Sequence, residues 1–310
     1  MDAIHAPPES FRLSCAVHAV DLKQGYGPKI VLDNVDLSVP PFDLISVVGP
    51  SGCGKSTLLR IVLGQDTPLS GQVFVHGEPV TRPNLSRGIV YQNYSLLPHL
   101  TVLENVLAGD RLRHGLLWRT TGGYRAKRDE AMHFLEKAGI AEHAKKYPSQ
   151  LSGGQSQRVA IVQTLFQRPR IVLMDEPFSA LDPSTRENMQ LWLLELWREY
   201  QLTVFFVTHD LEEACFLGTR LVALSSFYTD DRGDDPRIMR GSKIVMDMPI
   251  RHAGRISPPS IKETAEFGEL IEHVRHNAFD PTHRQHVEQF ELLHQYSWRT
   301  LTTDESHPKT

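Results

Sequence analysis

Cysteine is scarce in this chain: Cys15, Cys53 and Cys215 are the only three in 310 residues, and they lie far apart. That spacing excludes a CxxC metal site and a disulfide framework, and it fits a reducing cytoplasm. Long apolar runs are missing as well. No stretch approaches the ~20 residues that span a bilayer, so work at a membrane would need another chain to cross it. Met1–Phe11 has two prolines and no apolar core, which reads as a loose extension (residues 1–14) and not a signal peptide. Neither charge dominates. With 33 basic and 37 acidic residues the net charge is −4, and no global field argues for nucleic acid. Internal repeats and low-complexity tracts are absent too. The length allows one large domain or two smaller ones, with ample material for a core.

What is there begins with Gly49-Pro50-Ser51-Gly52-Cys53-Gly54-Lys55-Ser56-Thr57, which fits G-x-x-x-x-G-K-[ST]. An apolar strand, Leu44–Val48, leads in, and a helix-like run, Leu58–Leu63, leads out. The glycines let backbone N–H groups wrap a polyphosphate, and the helix N-terminus adds its dipole. Lys55 would reach the β- and γ-phosphates, and the Ser56 hydroxyl would hold Mg²⁺. Cys53, beside Lys55 at a helix start, is expected to favour thiolate.

Short strands are expected at 15–22, 29–39, 72–76 and 88–91. Helical spacing follows at 101–108 and 125–138, within a stretch rich in cations: Arg111, Arg113, Arg119, Arg125, Lys127 and Arg128. A solvated helical face explains that run better than lipid or partner contact. Two further apolar strands end in polar residues: Ile171–Met174 in Asp175-Glu176, and Thr203–Val207 in Thr208-His209-Asp210. With Leu44–Val48, these buried strands, each followed by a helix, predict an α/β fold with a parallel sheet. Ligands in such sheets sit beyond the strands' carboxyl ends, where all these polar residues fall. Beyond residue 225 we expect an acidic loop (Asp230, Asp231, Asp234, Asp235), a returning strand at 240–250, and helices near 267–274 and over 282–296.

Asp175 at a strand end suits Mg²⁺, largely through coordinated water. Glu176 next to it can deprotonate or orient an attacking water. Gln92, also at a strand end, can touch both metal and water. His209 gains a catalytic reading from its place at a carboxyl edge. Tyr26, flanked by glycines, either stacks on adenine or packs on the core as a turn aromatic. Leu151-Ser152-Gly153-Gly154-Gln155 precedes a helix and makes a second anion site, suited to the nucleotide of a second subunit. His273/His276 and His283/His286 have i, i+3 spacing, but without a fixed frame they read as solvated faces and not as a metal site.

Taken together, these motifs resemble the ATP-binding-cassette (ABC) ATPases: Walker A at 49–57, the Q-loop glutamine Gln92, the signature Leu151–Gln155, Walker B at 171–176, the D-loop Ser179-Ala180-Leu181-Asp182 and the switch His209. The resemblance covers residues 15–225. The stretches 88–102 and 207–214 look most like the nitrate, sulfonate, taurine and bicarbonate importer ATPases. It implies a P-loop (RecA-like) core with an antiparallel β subdomain and an inserted helical subdomain at about 93–160. The ATPase domain would cover 15–250, with a helical extension at 251–310.

In function the resemblance implies ATP and Mg²⁺, with Ser56, Gln92 and Asp175 at the metal. Tyr26, residues 49–57 and Asp182 would serve the nucleotide, with Ser152, Gly153, Gly154 and Gln155 acting in trans. Glu176, His209 and Gln92 would carry hydrolysis. The implied partners are a second ATPase subunit, separate membrane permeases and, indirectly, a solute-binding protein, on the inner face of the cell membrane. An exporter or lipid-trafficking ATPase is the alternative. A nucleic-acid or ribosome role would call for coiled-coil arms, zinc cysteines or a second cassette, none of which the sequence has. Pro40-Pro41-Phe42-Asp43 departs from the family's glycine-glutamate turn, and Val162-Gln163-Thr164-Leu165 from its alanine-arginine-alanine-leucine pattern.

Overall fold

A computed structural model describes residues 13–114, 123–233, 240–250 and 258–298. Its strands are β1 (Val17–Tyr26), β2 (Lys29–Val39), β3 (Leu44–Val48), β4 (Ser70–Val75), β5 (Glu78–Pro79), β6 (Arg87–Val90), β7 (Ile171–Asp175), β8 (Thr203–Val207), β9 (Arg220–Ser225), β10 (Tyr228–Thr229), β11 (Lys243–Pro249), β12 (Gln285–His286) and β13 (Glu291–Leu292). The helices are α1 (Lys55–Leu63), α2 (Val102–Val106), α3 (Ala108–His114), α4 (Gly123–Lys137), α5 (Gly153–Phe166), α6 (Pro183–Tyr200), α7 (Leu211–Leu217) and α8 (Ala265–Phe279). The chain divides into two compact units, one formed by Met1–Asn84 with Leu194–Thr310, the other by Leu85–Leu193.

In the first unit, β1 pairs antiparallel with β2 and β4, giving the sheet order β2-β1-β4-β5. A second sheet centres on β3, which is parallel to both β8 and β9. All five residues of β3 and of β8 are buried. A strand covered on both faces reads as an unbroken apolar run, and that is why the sequence signalled both so clearly. The returning strand β11 closes antiparallel on β9. The departure at residues 40–43 is a turn in which Phe42 adopts φ 67. Its carbonyl accepts from Trp197 Nε1 at 3.1 Å, and its N–H donates to Thr203 Oγ1 at 2.9 Å, so neighbouring side chains hold an unfavourable conformation in place.

In the second unit, β6 and β7 are parallel. Helix α5 packs on α2 and α4 and lies against β6, where Thr164 Oγ1 donates to Ile89 O at 3.3 Å. The cationic stretch behaves as a solvated face: Arg125 and Arg128 are exposed, while Lys127 bonds Glu130 at 2.7 Å. Arg119 lies outside the described residues.

The carboxyl-terminal part departs from expectation. A helix does form at 265–279, but 282–296 is not helical; β12, a single 3₁₀ turn and β13 replace it. Each short strand adds in parallel to the edge of an existing one, β12 to β10 and β13 to β11. Edge pairing overrides local helical spacing, because backbone donors and acceptors at a sheet edge demand partners. The acidic loop is also less solvated than expected. Asp230 points inward onto Arg232 and Arg240. Burial pushes its carboxyl up, yet these guanidinium bonds hold it below the usual carboxylate range. Asp234 and Asp235 lie outside the described residues. The histidines scatter: His273 pairs with Glu291, His276 stacks on His283, and His286 faces Asp231. Among the described residues, no group of three or more potential ligands surrounds a metal position.

A buried ion pair ties this terminal segment to the sheet. Arg220, fully buried, donates from Nε and Nη2 to the Asp247 carboxylate at 2.7 and 2.6 Å, and from Nη1 to Ser38 O at 2.7 Å. Ser297 Oγ donates to Asp247 at 2.6 Å, and Trp298 Nε1 to Ser38 Oγ at 2.8 Å. Such a pair adds little net stability over apolar packing, but removing one partner strands a buried charge. Asp247→Ala is therefore expected to cost about 3–5 kcal/mol. Urea unfolding checks it; a loss under 1 kcal/mol would mean that water reaches Arg220.

Candidate functional site

Parallel register positions the chemistry within each unit. In the first, Val47 sits opposite Val207, so Gly49 and His209, each two residues further on, leave the sheet at the same edge. Thr208 N–H donates to Val47 O at 3.3 Å and holds the two exits side by side. In the second, Val90 sits opposite Met174, so Gln92 and Glu176 leave with the same offset.

The phosphate loop spans 49–57 and turns into α1 at Lys55. Gly49 has φ 150, and a Cβ there would lie 2.1 Å from the Leu224 carbonyl oxygen. Only glycine fits so close to the next strand's end. Gly54 caps the helix in the left-handed region at φ 98. Pro50 and Thr57 complete the loop, whose Ser51 and Gly52 are exposed. Lys55 is nine-tenths buried, and its Nζ donates to Gly49 O at 2.8 Å and Pro50 O at 3.2 Å. The cation thus lies along its own loop. This cradle of backbone donors, with one buried cation and a hydroxyl at Ser56, fits a Mg²⁺-bound nucleoside polyphosphate.

The thiolate expected at Cys53 is not supported. Its side chain is 5% exposed, and burial pushes the thiol above its ordinary pKa; Lys55, 4.0 Å from the sulfur, offsets only part of that. Cys15 is raised by burial as well, and Cys215 is pushed up to about 12 by burial and Asp210.

At the first unit's other exit, Thr208 is buried and donates to Glu213 at 2.7 Å, while Asp210 accepts from Glu213 N–H and caps α7. His209 stands exposed between these anchored neighbours. Tyr26, at the end of β1, is 48% exposed and donates through its hydroxyl to Asp66 at 2.7 Å. That bond fixes the ring and leaves its face open for stacking, which favours the adenine reading over core packing.

In the second unit, Asp175 ends β7, and Glu176 adopts φ 47 directly before Pro177. The left-handed region is unfavourable for a side chain of this kind, so surrounding bonds must hold it. Its carbonyl accepts from Ser179 Oγ at 3.0 Å. Arg186, missed in the sequence, donates to Leu181 O at 2.9 Å and braces the next turn. Asp182 is exposed and caps α6; the bonds from Thr185, side chain first and then backbone, hold its carboxyl below the usual range.

Gln92 opens an exposed loop. Residues 151–155 enter α5 with Ser152 as N-cap, and the helix starts at Gly153, earlier than the sequence suggested. Tyr94 reaches from the Gln92 loop to this entry; its hydroxyl lies 3.1 Å from where a Gly153 Cβ would be. Asn105 also went unread in the sequence. Fully buried, it accepts from Leu97 N–H at 2.7 Å and donates to Leu97, Leu100 and Thr101 carbonyls, turning 97–101 into a fixed loop. Beside that loop runs a groove of about 370 Å³ lined by Leu85, Ile89, Leu97, Ala108, Gln163 and Thr164.

Comparison with known proteins places the chain in a family. Residues 32–179 match the family model described as ABC transporter. The chain is 42% identical over 201 residues to the nitrate import ATP-binding protein NrtD of Synechocystis sp., covering 64% of this chain and 73% of that one. It is 44% identical over 200 residues to the bicarbonate transport ATP-binding protein CmpD of the same organism, covering 64% and 69%. A solved dimeric ATP-binding cassette in a post-hydrolysis state, bound to ADP and Pi, is similar at 31% identity and TM-score 0.60, covering 76% of this chain and 99% of that one.

Two outcomes are expected at these residues. Glu176→Gln should retain ATP binding and lose on the order of 10²–10⁴ in turnover, the usual contribution of a general base; near-normal steady-state hydrolysis would remove that role. Iodoacetamide at neutral pH should leave Cys53 unmodified in the folded chain, because a buried thiol with a raised pKa offers little thiolate. Mass spectrometry showing rapid, nucleotide-protected labelling would reinstate a reactive thiolate.

Proposed function

The chain belongs to the ABC transporter ATP-binding family, and from that premise we propose how its residues act and what it serves. It is an ATPase, the ATP-binding subunit of a transporter. No helix among the described residues is long and apolar enough to cross a membrane. Membrane permeases of separate chains are therefore the partners, and this chain works peripherally at the inner face of the membrane.

Two copies pair head to tail, each lending Ser152, Gly153, Gly154 and Gln155 to the nucleotide held by the other. Residues 49–57 bind the phosphates through backbone N–H groups and Lys55, Tyr26 stacks on adenine, and Asp182 orders the turn that meets the second copy. Ser56, Gln92 and Asp175 would hold Mg²⁺, which supplies charge neutralisation at the phosphates when bound. Glu176 takes the proton of the attacking water, Gln92 orients that water, and His209 holds the γ-phosphate edge by a hydrogen bond.

The observation carrying this reading is the matched register. Each parallel pair delivers one binding and one reacting residue to a common edge, the place where α/β sheets bind ligands. The transported solute is a small anion taken up by import, on the strength of the nitrate and bicarbonate relatives. Export is the alternative; direction is a property of the permease.

The groove beside the Asn105-anchored loop receives a short permease helix, with Leu97, 40% exposed, as one apolar anchor. Leu97→Asp should uncouple transport while sparing the ATPase activity and melting temperature of the isolated subunit. A variant that transports normally would remove the groove from the docking surface, and one that loses all three together would assign Leu97 to packing. For the dimer, a mixed dimer pairing one Lys55→Ala with one Ser152→Arg subunit should keep about one competent nucleotide site, because both lesions fall on the other site. Nucleotide occupancy that mixing never restores would refute the trans assignment. In the source organism, Lys55→Ala should abolish uptake of one small anion among nitrate, bicarbonate and sulfonates; unchanged uptake of all of them would refute the substrate class.

A further inference from the structure

The cap of α5 contains a bond that none of the roles above uses. Gln155 N–H donates to Ser152 Oγ at 3.3 Å, and Ser152 N–H donates back to Gln155 Oε1 at 2.9 Å. The second bond fixes the amide's orientation, because an N–H can meet only the oxygen end. The amide nitrogen must then face the other way, where it lies 2.8 Å from His143 Nε2. An amide nitrogen donates and does not accept. Nε2 is therefore the unprotonated nitrogen of a neutral imidazole, and the proton sits on Nδ1.

That tautomer is not the one its own surroundings favour. His143 is 9% exposed, and its Nδ1 is buried with no hydrogen-bond partner. A buried donor without an acceptor opposes folding. Glu142 brings a carboxylate to 3.4 Å from Nε2; its side chain is 80% exposed, so water weakens its pull on the ring. The backbone around His143 is itself fixed. Val102 N–H donates to Lys146 O at 2.8 Å and Leu103 N–H to Ala144 O at 3.0 Å, joining this segment to the start of α2, the helix that carries Asn105.

We propose that His143 is a positioning residue for the signature motif. Accepting at Nε2, it holds the Gln155 amide in the one orientation that closes the Ser152 capping box. The Ser152 hydroxyl and the free N–H groups of Gly153 and Gly154 then keep a single arrangement before a phosphate arrives. Without the acceptor, the amide turns freely, the box opens, and the first turn of α5 frays. The proposal rests on the trans role given to the signature residues above. It also makes a continuous bonded path from the Leu97 loop through α2 and residues 144–146 to Ser152, all within one unit.

The test uses the full-length chain with His143→Leu, which removes the acceptor at similar volume, and His143→Gln, which restores an acceptor oxygen. Three quantities are measured: affinity for a fluorescent ATP analogue in the monomer, ATP-induced dimerisation in a Glu176→Gln background, and kcat. His143→Leu should leave monomer affinity within about twofold and lower kcat and dimerisation by on the order of 10–10²-fold, the cost of a misplaced binding group. His143→Gln should recover most of that loss. Normal kcat and dimerisation in His143→Leu would overturn the proposal. So would a His143→Gln variant as impaired as His143→Leu, or a His143→Leu variant that loses monomer affinity and melting temperature in step with kcat. Ser152→Arg runs alongside: if it too dimerises and turns over normally, the trans reading itself has failed; if only His143→Leu is normal, the fault lies with His143.

Discussion

Parallel pairing is the constraint on which the rest of the structure depends. Neighbouring parallel strands end on the same side of a sheet, so residues at equal offsets beyond paired positions emerge together. Here the offset is two residues in both cases, Val47 with Val207 and Val90 with Met174. A slip of one position would turn each buried strand's side chains over and move Gly49 away from His209, or Gln92 away from Glu176. Register is held by burial: every residue of β3 and β8 is inaccessible to water, as are the first four of β7. Apolar packing thus sets the geometry of the proposed site without contributing a single reacting atom.

Around these edges the molecule spends buried polar groups on loops and on the chain's later part. Asn105 gathers four backbone groups of the 97–101 loop, Arg186 braces the turn after Glu176, and Arg220 with Asp247 binds the terminal segment to the sheet. Each leaves a costly unpaired group if its partner moves, so each favours one arrangement over its neighbours more than it adds to total stability. Loops held in one arrangement in this way would lose less entropy on binding a ligand.

Much of the site was legible in the sequence because phosphate chemistry demands particular residues at particular spacings. A loop that must bring N–H groups to a polyphosphate needs glycine where backbone meets backbone, as Gly49 meets Leu224. Buried parallel strands announce themselves as apolar runs. The braces were not legible. Asn105 binds backbone groups only four to eight residues away, but that loop has no sequence motif; the partners of His143 and Arg220 lie 12 to 182 residues away, beyond any local pattern. The error at Cys53 has the same origin. Lys55 and the helix start are visible neighbours that favour thiolate, whereas the burial that outweighs them comes from the fold. At 282–296, helical spacing competed with open strand edges that only the assembled sheet supplies.

The division of labour between backbone and side chains follows from the same physics. In the proposed site, binding a polyphosphate is given to main-chain N–H groups, which cannot be altered without changing the path of the chain, and the path is fixed by strand register. The side chains proposed to react stand at points of backbone constraint: Glu176 at φ 47 before a proline, and His209 between an anchored threonine and a capping aspartate. A side chain on a backbone that has few alternatives inherits its direction from the fold. Constraint on the main chain at Glu176 and His209 thus limits the directions their side chains can take.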